Sequence, residues 1–161
     1  MEKEADLCKI VVELGYHWSG IGGEGIWARP MGGDLYEVDT IPFYAYGLNV
    51  ADVVRAVAPN PDRKAVVQSV ERASGHRTLR VQFARSTAEP ERVLMLRGLS
   101  QFHTSFEGQN AVYFAVDVAP LGDYEGVIQQ LQAWEDQELL SFETCEPRVA
   151  GGFGSDPAEV T

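Results

Sequence analysis

Between residues 78 and 84 the chain alternates at every step, with Leu79, Val81 and Phe83 apolar and Arg80 and Gln82 polar. That period of two predicts a strand with one face turned inward. Shorter runs of the same kind fill the first half. Residues 7–14 mix alternating apolar positions with β-branched residues. Residues 25–30 and 35–41 flank a Met-Gly-Gly-Asp turn, and residues 65–70 follow a Pro-Asn-Pro-Asp turn. Residues 48–57 read as a helical turn, capped by Asn49, that enters a strand. Five glycines fall between positions 15 and 25. Short strands joined by such turns predict a small barrel or a strongly curled sheet.

The rhythm then changes. Residues 91–102 carry a helical pattern with Pro90 in the first turn, where proline is tolerated. Residues 104–118 read as two strands around a Gly-Gln-Asn turn. Asp123 caps a second helix whose Tyr124, Val127, Ile128, Leu131 and Trp134 share one face, and residues 139–146 form a last strand. The order β-α-β-β-α-β is that of ferredoxin-like folds. The expected fold class is therefore α+β. A β-rich, barrel-like module over residues 1–73 is expected to pack on a ferredoxin-like α/β sandwich over residues 74–147. Its core would include Leu79, Val81, Phe83, Val112, Phe114, Val116, Val127, Leu131 and Phe142. Residues 148–161, small and polar, are expected to form a flexible tail.

Charge sharpens this picture. The 161 residues carry 13 basic and 24 acidic side chains, for a net −11. Residues 71–105 hold six arginines against three acids, whereas residues 106–161 hold one base against eleven acids. Such a chain repels phosphate backbones at long range, which argues against general nucleic-acid binding. No window of 18 apolar residues exists to span a membrane, and the acidic start lacks the layout of a signal peptide. Cys8 and Cys145 leave a disulfide open by spacing alone, and two thiols in a reducing cytoplasm is the simpler expectation.

Familiar catalytic patterns are missing. His17, His76 and His103 are isolated and neither cysteine has a C-x-x-C partner, so no metal or cofactor is expected. The glycines at positions 20–25 are not followed by Lys-Ser/Thr, and no Gly-x-Ser-x-Gly elbow occurs, so no catalytic residue is assigned. The candidate that stands out is Ser74-Gly75-His76-Arg77-Thr78-Leu79-Arg80. Its turn and its guanidinium forks suit an anion, with Arg80 expected on the solvent side of its strand. The competing structural reading makes His76 and Arg77 solvated strand-entry residues and pairs Arg80 with an acid on a neighbouring strand.

Four elements in order also resemble a bacterial family known as domain of unknown function 4265. They are Glu24, Trp27 and Ala28; Ile41, Pro42, Phe43 and Ala45; Asp52, Val53 and Val54; and Ser74, Gly75, His76, Thr78 and Arg80. Thr40 and Ala51 depart from the Asn and Gly usual there. The resemblance implies no activity. It adds weight to Asp52, His76 and Arg80 sharing one surface, so the ligand-site expectation comprises Asp52, Ser74, Gly75, His76, Arg77 and Arg80, with Asp52 orienting His76.

Two functions follow as expectations. One is a small cytoplasmic binding protein, of inhibitor or immunity type, that meets a basic partner through Glu135, Asp136, Glu138, Glu143 and Glu146. The other is an enzyme or sensor for a small anion at the Ser-Gly-His-Arg segment.

Overall fold

The computed structural model describes residues 6–159, so residues 1–5 and 160–161 of the expected module and tail lie outside it. The chain divides into two units, one of residues 1–74 with 146–161 and the other of residues 75–145. Strands dominate both, and the whole is a mixed α+β protein.

The first unit is a closed five-stranded barrel of β1 (Cys8–Glu13), β2 (Gly23–Gly32), β3 (Leu35–Val38), β4 (Val53–Val57) and β5 (Val66–Arg72). Successive strands pair antiparallel, and β1 meets β5 in parallel at one register pair, Val11 with Val66. Alternation decides what faces inward. Ile10 and Val12 of β1, Ile26 and Ala28 of β2, Val38 of β3, and Val54 and Ala56 of β4 form one buried cluster with Leu48 and Val67. Each valine, leucine or isoleucine among them contributes roughly 1.5–3 kcal/mol when removed from water. The tight turn between β2 and β3 needs positive φ at Gly32 and Gly33, which glycine adopts without a Cβ penalty.

The expected flexible tail is instead ordered over its described part. Tyr46 N–H donates to the Phe153 carbonyl at 2.8 Å, Ser155 N–H to the Tyr16 carbonyl at 2.9 Å, and Trp18 N–H to Ser155 Oγ at 3.1 Å. Gly154 and Ser155 are buried in the barrel unit. A Cβ at Gly154 would run into the carbonyl oxygens of Leu14 and Tyr16. The small residues that suggested looseness are what let this segment approach the backbone closely.

The second unit comprises β6 (Arg77–Phe83), α1 (Glu89–Gly98), β7 (Thr104–Gly108), β8 (Tyr113–Val118), α2 (Tyr124–Asp136) and β9 (Leu140–Thr144). Its four strands lie in the order β7-β8-β6-β9, each antiparallel to its neighbours. The first helix is shorter than its pattern suggested, and residues 99–102 tighten into a 3-10 turn. Asn110 Oδ1 accepts from the N–H groups of Val112 and Tyr113, which closes the hairpin between β7 and β8. Asp123 caps α2 by accepting from Gly126 N–H at 2.9 Å. Leu79, Val81, Phe83, Phe114, Val116, Val127 and Leu131 are buried in one core, with Val112 and Phe142 packed partly buried against it.

Candidate functional site

The Ser74–Arg80 segment straddles the two units, and its parts are held separately. Within the barrel unit, the buried Asp52 carboxylate accepts from Asn49 N–H at 2.9 Å and from Ser74 N–H at 2.8 Å. Ser74 Oγ donates to the Val50 carbonyl at 2.6 Å. Asp52 therefore closes the turn leading into β4 and pins the end of the segment after β5 to it. Gly75 follows at φ +91°, and a Cβ there would press on Pro120 at 3.3 Å. Only glycine takes that backbone without strain.

In the sheet unit, register places the polar residues together. Thr78 lies opposite Asp117 of β8, and Arg80 lies opposite both Ala115 of β8 and Glu143 of β9. One face of β6 thus carries Thr78 and Arg80 and the other carries Leu79, Val81 and Phe83. Two residues before Thr78, the ring of His76 meets both carboxylate oxygens of Asp117, with Nδ1 at 2.8 and 2.9 Å. The His76 side chain is 22% exposed and that of Asp117 only 7%. Burial pushes the Asp117 carboxyl above its ordinary value of 3.8, and His76, through its hydrogen bond and its charge, offsets part of that rise. A carboxylate at Nδ1 fixes the imidazole tautomer with its proton on that nitrogen and leaves Nε2 the basic atom. Beside the pair, the Arg77 guanidinium stacks 3.4 Å above the ring of Tyr124.

Arg80 departs from the expected solvent-facing position. It is 1% exposed, and its Nε donates to Glu143 Oε2 at 3.5 Å. Thr78 is buried as well, while Gln82 farther along the same face is exposed. The structural alternative, an arginine paired with an acid on the neighbouring strand, describes this geometry.

The five acidic residues expected to meet a partner are partly committed elsewhere. Glu135 accepts from Phe142 N–H at 3.0 Å, Asp136 accepts from Gln132, and Glu143 holds Arg80. Glu138 and Glu146 are exposed. Neither Cys8 nor Cys145 forms a disulfide. Among the described residues no group of three or more His, Cys, Asp or Glu side chains is placed to hold a metal ion, and no helix is long and apolar enough to cross a membrane.

Sequence reasoning passed over a second constellation, in the barrel unit. The Glu24 carboxylate, buried by the inward parity of β2, accepts three backbone N–H groups in a row. These come from Phe43 at 2.6 Å, Tyr44 at 3.0 Å and Ala45 at 2.9 Å. His17 Nε2 donates to the Tyr44 carbonyl at 2.9 Å, while Nδ1 accepts from Ser19 N–H at 3.1 Å. Its ring stacks on Tyr46, whose hydroxyl accepts from Trp18 Nε1–H at 2.7 Å. The one signal in the chain was Glu24 at an inward position of an alternating strand, where a carboxylate demands donors.

On the outer face of β2 stands Trp27, 44% exposed, with Lys9 Nζ 4.9 Å from its ring centre. Arg29, two residues on, pairs with Glu37 at 3.3 Å and Asp39 at 3.8 Å, and Met31 is exposed beyond it.

A hypothetical protein from Neisseria gonorrhoeae, known from its crystal structure, aligns with a TM-score of 0.71 at 18% identity. The alignment covers 86% of this chain and 95% of that one, and at this identity the likeness is one of fold. No curated protein matches the chain significantly. The family model described as Domain of unknown function (DUF4265) matches residues 24–142, which include all four motif elements, and the chain belongs to that family.

Proposed function

We propose that this protein is a non-catalytic binding protein that receives a basic protein partner on the outer face of its barrel around Trp27, as an inhibitor or immunity protein does. The observation that carries this reading is the contrast among the motif side chains. Glu24, Asp52, Thr78 and Arg80 are buried and Ser74 is half-buried, whereas Trp27 stays exposed on a strand face with Met31 nearby. Tryptophan and methionine are enriched at interfaces, and an indole that fills no core gains by being covered. The net charge of −11 supports a basic partner, because it raises the rate of encounter and makes it depend on salt. Two cysteines without a disulfide fit a reducing cytoplasm. The strand order β7-β8-β6-β9, with one helix after the first strand and one before the last, supports reading the second unit as a ferredoxin-like sandwich.

The experiment is capture from lysate on the immobilised full chain at low salt, with Trp27→Ala in parallel. A basic protein held by the native chain should be lost by the variant by roughly tenfold or more in affinity. Its association rate should fall as salt rises. Retention that ignores both the substitution and salt overturns the proposal. A second reading, a sensor or enzyme for a small anion, is favoured by one observation, the partly accessible His76 ring oriented by Asp117 beside Arg77. It predicts a ligand response abolished by His76→Gln and indifferent to Trp27→Ala.

A further inference from the structure

The barrel closes at a weak place. β1 pairs with β2 over six register positions but with β5 at only one, where Val11 N–H donates to the Ala65 carbonyl at 2.9 Å. Two clefts open along this seam. The first, about 290 Å³, is lined by Val11, Glu13, Asp62, Arg63, Lys64 and Val66. The second, about 470 Å³, shares Glu13 and Val66 and adds Arg55 from β4 with Gln68 and the apolar Val57, Ala58 and Pro59. Together they form a groove that shares Glu13 and Val66, with a cation pole in each cleft, Arg63 and Lys64 in the first and Arg55 in the second.

The charges in this groove are unspent. Acids outnumber bases 24 to 13 in the chain, so an arginine or lysine finds a carboxylate easily. Arg29 pairs with Glu37 and Asp39, and Arg80 pairs with Glu143. Among the described residues, the side chains of Arg55, Arg63 and Lys64 make no ion pair, hydrogen bond or ring stack, although Glu13 and Asp62 line the same clefts. Strand geometry accounts for Arg55. It points outward from β4 opposite Ser69, while Ala56 claims the interior. Arg63 and Lys64 stand in the short connection that delivers the chain to β5 and line the first cleft with Glu13.

We propose that this seam groove binds a ligand bearing two anionic groups, one held by Arg55 and the other by Arg63 and Lys64. Guanidinium forks and an ammonium match carboxylate or phosphate oxygens. Two poles favour a ligand that reaches both, because the second contact forms at high effective concentration once the first is made. Glu13, shared by both clefts, and Asp62 in the first repel a compact polyanion and accept hydrogen bonds from donors in the linking segment. An acidic peptide segment and a small dicarboxylate share this chemistry. Its use rests on Arg55, Arg63 and Lys64 and does not depend on the partner proposed above.

The test is titration of the isotopically labelled full chain, followed by amide NMR, with acetate, succinate, citrate and tetraglutamate at constant ionic strength. Shifts that saturate at Glu13, Val66 and Gln68, with the multivalent probes binding at least about tenfold tighter than acetate, are the expected result. Arg55→Gln and Lys64→Gln should each weaken binding roughly tenfold, the scale of a lost charge-assisted contact, while Arg97→Gln on α1 leaves it unchanged. All three positions are exposed, so the fold tolerates them. Response to tetraglutamate over citrate assigns the site to a peptide, and the reverse order to a small anion. Equal response to acetate, or shifts that survive both groove substitutions, overturns the proposal.

Discussion

Replacing Glu24 tests a side chain that carries three backbone donors in the barrel unit. Its Oε1 accepts from Tyr44 and Ala45 and its Oε2 from Phe43, so one carboxylate satisfies three successive backbone donors on the loop between β3 and β4. A hydrogen bond to a charged group contributes about 1.5–3 kcal/mol, and a buried donor left without a partner costs about 1–3 kcal/mol. Glu24→Gln can present its single oxygen to Tyr44 and Ala45, but its amide then confronts Phe43 N–H donor to donor. One bond is lost and one repulsion gained, which predicts a loss of about 2–3 kcal/mol. Glu24→Ala strands all three donors and leaves a cavity. With partial rehydration of the half-buried Phe43 and Tyr44 amides, the expected loss is about 4–6 kcal/mol, comparable with the whole stability of many small domains. The assay pairs urea denaturation with hydrogen exchange at residues 43–45. Exchange at these amides should accelerate in Glu24→Gln well before the β1 amides respond, because the loop is released while the barrel core persists. If Glu24→Gln lies within about 0.5 kcal/mol of the native chain and protection at 43–45 is unchanged, the clamp is not what holds this loop.

Two further substitutions separate structural from ligand roles in the sheet unit. Because burial raises the Asp117 carboxyl above 3.8, the folded state binds more protons than the unfolded state just above that pH, so this group's contribution to stability falls as pH rises through the window. Asp117→Asn should remove that part of the slope in urea midpoints measured from pH 3.5 to 7, and an unchanged slope would sink the assignment. Arg80, 1% exposed and paired with Glu143, should behave as a core residue. Arg80→Ala is expected to cost about 2–5 kcal/mol in urea unfolding and the volume-preserving Arg80→Met clearly less, whereas a pure ligand arginine would leave both midpoints unchanged.

Much of the fold was legible because it rests on local period. The alternation at Leu79, Val81 and Phe83 placed their shared face correctly, and Asp123 announced α2 through its cap. What periodicity cannot supply is the fate of the polar face. It marks Thr78 and Arg80 as different from Leu79 and Val81, but whether that face meets water depends on residues far along the chain. Glu143 lies 63 positions after Arg80, and Asp117 lies 41 after His76. The carboxylate on His76 was within reach of topology. Once β6 and β8 are neighbours, register sets Thr78 beside Asp117, and His76 follows by parity. The tail misled for a different reason. Glycine-rich composition signals freedom in an isolated chain, yet at Gly154 it signals contact too close for a side chain.

The motif residues then divide by what they touch. Glu24 of the first element binds the backbone of Phe43 and Ala45 in the second, with Tyr44 between them, and Asp52 of the third binds the backbone of Ser74 in the fourth. Each carboxylate is an acceptor turned onto main-chain N–H groups, a role that needs geometry and no ligand. Packing accounts equally for Ala28, Ile41, Ala45, Val53 and Val54, all buried in the barrel unit. Gly75 answers to its positive φ and to Pro120. After these assignments His76 retains a partly accessible ring, and Trp27 retains nearly half its surface, with Lys9 across its face. The indole is thus the motif side chain that burial and backbone hydrogen bonding account for least. Trp27→Ala removes that surface without disturbing a single hydrogen bond of the clamps made by Glu24 and Asp52.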